Sequence, residues 1–308
     1  MSNKMKLIES AQRVYVPDMF SKLGDDMRHN ESNNIGTFCV PDEQYHGINE
    51  YNGKPVISQS SLKKFNENPE TYHAGLPFLR SRVVVLGSLL DSAVLNQVGL
   101  DDYFFLEGKE ADGRTKEGKA IRGKAKGMGK ETVNETELNQ IHANIDKLAE
   151  NSTAIEILSG ATTQIQMLDT RGEIGKRGML DIIPDREGRF GDGICDLKRT
   201  SKFLPYEWRQ HVRSMYYHWQ AAYYLDLWNE ICKAHGQDDQ TRDKWYFLLS
   251  DSNAPYGCGV AKLSEELIKK GREGYMNALM KYQECITTGN YPNPWNQGEI
   301  LTIEPYSK

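Results

Sequence analysis

Between Thr163 and Thr200 the chain writes three strand-like stretches in succession: TQIQMLD (Thr163 to Asp169), GKRGMLDIIPD (Gly175 to Asp185) and GRFGDGICDLKRT (Gly188 to Thr200). Their apolar residues recur at strand spacing, and the cluster from Asp185 to Gly188 reads as a turn. Strands joined by short turns pair antiparallel, and the sheet they form must bury a face. A long amphipathic helix is predicted from about Pro205 to Ala234. WYFLLSD (Trp245 to Asp251) and GCGVAKL (Gly257 to Leu263) read as two more strands, and Ser264 caps a last helix to about Thr287. The expected fold class is therefore α/β, with a mixed central sheet flanked by helices.

Upstream, residues 1–54 read as a polar N-terminal extension of unknown role, with HNESNN and NEYNGK as turn signals. Tyr15, Phe20, Phe38 and Tyr45 are expected to order part of it. Residues 55–308 are assigned to the main domain. There, ISQSSLKKF offers a serine cap to a short helix that Pro69 closes. RVVVLGSLLDSAVLN (Arg82 to Asn96) is apolar on nearly every turn and fits a buried helix whose one charge after Arg82 is Asp91. Lys109 to Lys130 is Gly-rich and basic, and reads as a mobile loop, a phosphate-facing arm or a solvated linker. Glu131 to Leu158 regains a helical period.

With 308 residues, 38% of them hydrophobic, the chain can bury a real core. It holds no run of about 18 apolar residues, and its start, MSNKMKLIES, has no apolar signal region; a cytoplasmic location is expected, with no membrane contact. The five cysteines, Cys39, Cys195, Cys232, Cys258 and Cys285, are scattered without a C-x-x-C pair, which disfavours zinc ribbons and disulfide frameworks. A net charge of -5 gives no global signal for nucleic acid. A local basic surface or bound metal ions can supply that field instead.

The stretch ICDLKRT puts Asp196 and Lys198 two apart on a predicted strand, so both project from one face, roughly 7 Å apart. Acid-x-Lys triplets also occur at Glu107 to Lys109 and Glu117 to Lys119, both within the basic stretch where no rigid element is expected. Only the third sits where a site gains precision. A metal-dependent phosphodiesterase needs another carboxylate, since Mg²⁺ wants hard oxygen ligands. A hairpin turning near Glu187 and Gly188 leaves Asp185 at its tip and brings Asp181 across from Cys195 and Asp196, so Asp181 is the chosen partner. The plainer alternative for Asp181 is a strand-end acid bonded to neighbouring backbone. Asp91, alone in an apolar helix, must find a cation, a metal or a cap, or protonate. Gln220 and Tyr224 lie four apart on one helix face, where packing is the competing explanation. His211 and His218 lack metal-pair spacing and read as structural or as supports behind the residues that hold a metal. Tyr216, Tyr217, Tyr223 and Trp219 read as core packing before base stacking.

In order, LGSLLD ending at Asp91, GMLD at Asp181, CDLK at Lys198 and QAAYY at Tyr224 resemble the RecB-like group of PD-(D/E)XK nucleases, and most closely nuclease domains of the exonuclease VIII (RecE) type. The likeness also takes in ISQSSLKKFNENPETY, YHWQAAYY, WYFLLSDSNAPYGCGVAKL and NYPNPW, covering about residues 55 to 297. It implies a Mg²⁺-dependent exodeoxyribonuclease, with Mn²⁺ able to serve and two ions in the site, that digests one strand from duplex DNA ends. The single strand left behind would pass to an annealing protein in recombination, in a phage or prophage setting. Carried over by position, Asp181 and Asp196 would be metal ligands, with the Leu197 carbonyl a third. Lys198 would orient or deprotonate the attacking water. Gln220 and Tyr224 would fall on the Q-x-x-x-Y motif near a phosphate. Asp91 stands where the family usually has a metal-facing histidine and by the same carry-over would be a metal ligand, an oxygen donor that suits Mg²⁺ or Mn²⁺ and adds a negative charge to the metal site. Relatives form rings around DNA, so a homo-oligomeric ring is implied by analogy alone. An endonuclease of the same fold and a non-catalytic DNA-binding recombination module stand as alternatives.

Overall fold

The computed structural model describes residues 3–12, 27–29, 34–38, 40, 42–75, 81–95, 97–110 and 112–295. Tyr15, Phe20, Cys39 and Asn96 lie outside the described residues. The elements run α1 (Asn3–Gln12), β1 (Ile35–Phe38), α2 (Asp42–Gly47), β2 (Glu50–Tyr51), β3 (Lys54–Ser58), α3 (Gln59–Glu67), α4 (Pro69–His73) and α5 (Arg82–Val94). Next come β4 (Tyr103–Phe105), α6 (Lys116–Gly127), β5 (Glu131–Val133), α7 (Glu135–Glu150), α8 (Ser152–Leu158), β6 (Thr162–Asp169), β7 (Gly175–Ile183) and β8 (Gly193–Thr200). The chain continues through α9 (Pro205–Ser214), α10 (Tyr217–Ala234), β9 (Lys244–Asp251), β10 (Cys258–Lys262) and α11 (Glu265–Thr288).

The main sheet has the order β1-β6-β7-β8-β9-β10. β6, β7 and β8 form the predicted antiparallel meander, whereas β8 and β9 run parallel because α9 and α10 cross between them. β3 joins β7 in parallel, with β2 hairpinned onto it. Two cores cover the two faces. One is built by α3, α9, α10 and α11, the other by α1, α5, α7 and α8. Trp228 and Trp245, both fully buried on the α10 side, each remove roughly 4–6 kcal/mol worth of apolar area from water before entropy is counted.

The structure refines four sequence expectations. Within residues 1–54, expected to be ordered in part by Phe38 and Tyr45, β1 pairs with β6, Leu7 and Ala11 are buried in the α5-side core, and Tyr45 is fully buried. Polar loops hide these contacts, since each segment contributes only one or two apolar anchors. The basic stretch is ordered as α6, capped by Thr115, whose hydroxyl accepts the Gly118 N–H at 2.9 Å. Its lysines, alanines and arginine are good helix formers and outweigh three glycines. The helix expected over Pro205 to Ala234 breaks at Tyr216, which adopts a left-handed φ of 58°. Neither glycine nor proline marks that break. Tyr216 is held instead by packing edge-on to Trp219 at 4.7 Å, with the Lys63 ammonium 5.8 Å from its ring centroid. Likewise Glu131 to Leu158 divides into β5, α7 and α8, with Asn134 and Asn151 as caps.

Candidate metal-dependent active site

Alternation along β8 decides which side chains meet. Ile194 enters the α10-side core while Cys195 and Leu197 enter the other, so Asp196 and Lys198 face α10. Alternation along β7 fails at one place. Leu180 packs on the α10 side and Ile182 on the α5 side, although residues two apart in a regular strand share a face. Asp181 sits at this kink. Opposite it on β6, Gln164 has a φ of 56°, and the ladder skips this pair between Thr163–Ile182 and Ile165–Leu180. β7 meets β8 through Ile182 and Cys195, which places Asp181 across from Asp196 as the hairpin argument required. Asp185 lies in the exposed turn, where its carboxylate accepts the Glu187 N–H at 3.3 Å.

The carboxylates and the lysine then converge. Asp196 is 2% exposed; its Oδ1 accepts a hydrogen bond from Gln220 Nε2 at 2.7 Å, and Lys198 Nζ stands 2.5 Å from Oδ2. Asp181 Oδ2 accepts the Leu197 N–H at 3.2 Å, and Gln164 Nε2 lies 3.5 Å from Oδ1. The backbone bond foreseen as the plain alternative for Asp181 is thus present, alongside its place beside Asp196. Leu197 enters through its amide. Asp91 comes from α5, and its charge couples to Lys198 and Asp196. Tyr224 packs its ring where a side chain at 178 would be: a Cβ on Gly178 would lie 2.7 Å from Tyr224 Cε1. Gly178 is therefore required by close approach, a meaning glycine often has inside a strand.

Burial is the largest influence on both of the shifted acids, Asp91 and Asp181. Burial pushes the Asp91 carboxyl up to about 7, Lys198 opposing and Asp196 reinforcing it. Burial, then Asp196 and Asp91, also raises Asp181 well above the carboxylate range. Burial would lower Lys198, yet the Asp196 and Asp181 carboxylates outweigh it and hold its ammonium charged. Tyr224 is kept a neutral phenol first by burial and then by the same two carboxylates. Asp91 and Asp181 are enclosed by protein but keep partial contact with solvent, which describes a narrow cleft rather than a sealed core.

Three carboxylates around one ammonium fit a hard divalent cation, which binds through one or two carboxylates and keeps its waters. Asp181 and Asp196, which face each other across the β7–β8 ladder, could hold it. Among the described residues no three His, Cys, Asp or Glu side chains are grouped closely enough to form a three-ligand centre. Asp91 accordingly acts on the site through its charge.

Two further residues belong here. Tyr217, expected in the core, lays its ring 5.2 Å from Lys198 Nζ, a cation–π distance. Helix periodicity could not have found it, because it depends on the break at Tyr216. Tyr45 donates its hydroxyl between the backbones of β6 and β7, to Met167 O at 2.8 Å and to Gly178 O, behind the glycine on which Tyr224 rests. Burial chiefly lowers the proton affinity of His211 and His218. α11 seats the first turn of α10: a Cβ on Gly271 would lie 2.0 Å from the His218 carbonyl oxygen, and Arg272 and Tyr275 bind Asp226 at 2.7 and 2.6 Å.

No functionally curated protein matches the chain in sequence. Among solved structures, a candidate exonuclease from Eubacterium rectale superposes with a TM-score of 0.58 at 14% identity, over 88% of this chain and 97% of that one. At that identity the likeness is one of fold. Residues 58–302 match the family described as PDDEXK-like domain of unknown function (DUF3799). With the kinked strand pair, its two facing aspartates and the lysine two residues on, the chain belongs to the PDDEXK-like nuclease-fold family.

Proposed function

We propose that the protein is a metal-dependent exodeoxyribonuclease, hydrolysing phosphodiester bonds from the ends of double-stranded DNA and leaving single strands for recombination. The observation that carries the proposal is the convergence of buried Asp196 with Lys198 and Gln220, opposite Asp181. Asp181 and Asp196 would hold Mg²⁺, or Mn²⁺ in its place, aided by the Leu197 carbonyl and the charge of Asp91. Two ions are proposed, and when bound they supply Lewis-acid chemistry to water and phosphate. Lys198, charged, donates a hydrogen bond that orients the attacking water or a phosphate oxygen. Gln220 fixes the orientation of the Asp196 carboxylate, and the Tyr224 phenol remains a donor towards phosphate. The basic helix α6 meets the DNA backbone. A single-strand annealing protein as partner, a homo-oligomeric ring and a cytoplasmic setting, the bacterial host's if the gene is phage-borne, complete the proposal. Among the described residues no helix is long and apolar enough to cross a membrane.

The deciding experiment follows end-labelled linear duplex and covalently closed circular duplex in Mg²⁺. Loss of label from linear DNA alone supports an exonuclease. Cutting of the circle makes the enzyme an endonuclease. No Mg²⁺-dependent hydrolysis of either substrate favours a non-catalytic DNA-binding module, and wild-type rates in Asp196→Ala or Lys198→Ala refute the assignment of the site to these residues.

A further inference from the structure

A glycine inside a helix weakens it relative to alanine, so each one asks for a reason. Packing supplies it in α6 and α11. A Cβ on Gly118 would lie 2.0 Å from the Asp112 carbonyl oxygen, one on Gly271 2.0 Å from that of His218, and one on Gly274 2.2 Å from the Trp219 indole nitrogen. Gly87, in the second turn of α5, has no such reason. Its φ is not in the left-handed region, and a Cβ there would meet no atom of the described residues within 4 Å. Gly123 shares that freedom, but on the exposed side of α6, whereas Gly87 is half-buried.

Position sets Gly87 apart. Asp91 is four residues on, hence on the same face and about 6 Å further along the axis, and Asp91 turns that face to Lys198 and Asp196. Val83, four residues before Gly87, and Val84 lie at the outer end of α5, 63% and 39% exposed. From solvent inward, the helix therefore presents exposed valines, an open glycine and then an acid beside the candidate metal site. Exposed valines and an unpacked glycine are poor choices for helix stability, and local rules of this kind are broken where function requires it. The occupant must extend from the metal site past one helical turn, come close at Gly87 and offer uncharged surface to the valines. A DNA strand held by one phosphate at Asp196 and Lys198 meets all three demands, because uncharged deoxyriboses flank that phosphate. A small anion would end at Lys198 and leave the outer turns of α5 uncovered.

We propose that this face of α5 is the wall along which the DNA strand lies, with a deoxyribose of its backbone in van der Waals contact with Gly87 and the next unit against Val83 and Val84. That the strand lies there to be cut rests on the nuclease proposal. The test pairs thermal unfolding without DNA with binding, in Mg²⁺, of a duplex whose ends carry phosphorothioate linkages that resist cutting. Gly87→Ala should raise Tm by about 1 °C, because alanine favours the helix and its methyl meets no described atom, yet weaken binding by about twofold or more. Gly87→Leu should weaken binding about 5- to 150-fold, the range for forcing a side chain into a filled contact, with Tm no lower than wild type. A glycine kept only for the fold cannot move stability and binding in opposite directions. Unchanged affinity in Gly87→Leu, a loss of affinity that appears only together with a fall in Tm, or a wild type that binds no duplex would overturn the wall. Hydrolysis of an unmodified linear duplex, scored separately, keeps the two proposals apart. Gly87-dependent binding by a protein that never cuts DNA sustains the wall and removes the nuclease; a nuclease whose Gly87 variants bind as wild type does the reverse.

Discussion

Replacing Asp91 with asparagine measures the charge left uncompensated in the cleft when no cation is bound. Burial, opposed by Lys198 and reinforced by Asp196, moves this carboxyl from 3.8 to about 7 on folding. A group that binds its proton more tightly folded than unfolded stabilises the fold fully below 3.8, and that contribution is lost as pH rises towards 7. From pH 5 to pH 7 the loss is two pH units at 1.36 kcal/mol each, about 3 kcal/mol. Water reaching part of Asp91 screens it, so this is a ceiling. Asparagine keeps the shape and does not titrate. In the absence of metal, wild type should therefore lose about 1–3 kcal/mol more stability than Asp91→Asn between pH 5 and pH 8, read by urea unfolding at each pH. In thermal unfolding the same difference amounts to about 1.5–5 °C in Tm. Saturating Mg²⁺ or Mn²⁺ should flatten the wild-type profile, because the cation supplies the missing charge. Parallel profiles for the two proteins would refute the claim that Asp91 carries uncompensated charge.

Divalent cations should raise the Tm of wild type with concentration and leave Asp196→Asn unmoved; equal shifts in both would place the binding elsewhere. Gly178→Ala should displace Tyr224 at a cost of about 1–3 kcal/mol in stability and lower the rate of DNA hydrolysis by tenfold or more, measured by unfolding and initial rates on one preparation. Tyr45→Phe removes the donor shared by Met167 and Gly178 and should cost about 1–3 kcal/mol in urea unfolding, a negligible change counting against its role in holding β6 to β7. Neutralising Lys116, Lys119 and Lys126 on α6 should flatten the salt dependence of duplex binding by up to about 2.7 in slope, and an unchanged slope would remove α6 from the DNA interface.

The acid and base of ICDLKRT were legible because strand alternation alone puts residues two apart on one face, and hairpin counting alone brings Asp181 across from Asp196. Asp91 was legible too, since an unpaired carboxylate in an apolar helix demands an explanation wherever that helix packs. These follow from rules spanning a few residues, and so do the meander, the serine caps and the α/β class. Other features depend on contacts between segments far apart in the chain. The kink at Asp181 turns β7 from one core to the other and needs Gln164 on the neighbouring strand. The break at Tyr216 runs against local propensity and is held by Trp219 and Lys63, yet it is what lays Tyr217 over Lys198. Tyr45 joins the sheet from 122 residues away in sequence. The amino-acid sequence by itself determined which chemical groups the cleft holds, because side-chain identity and period are local. Only the tertiary structure decided how closely they meet and how strongly they perturb one another, because burial and Coulomb interaction depend on distance through space.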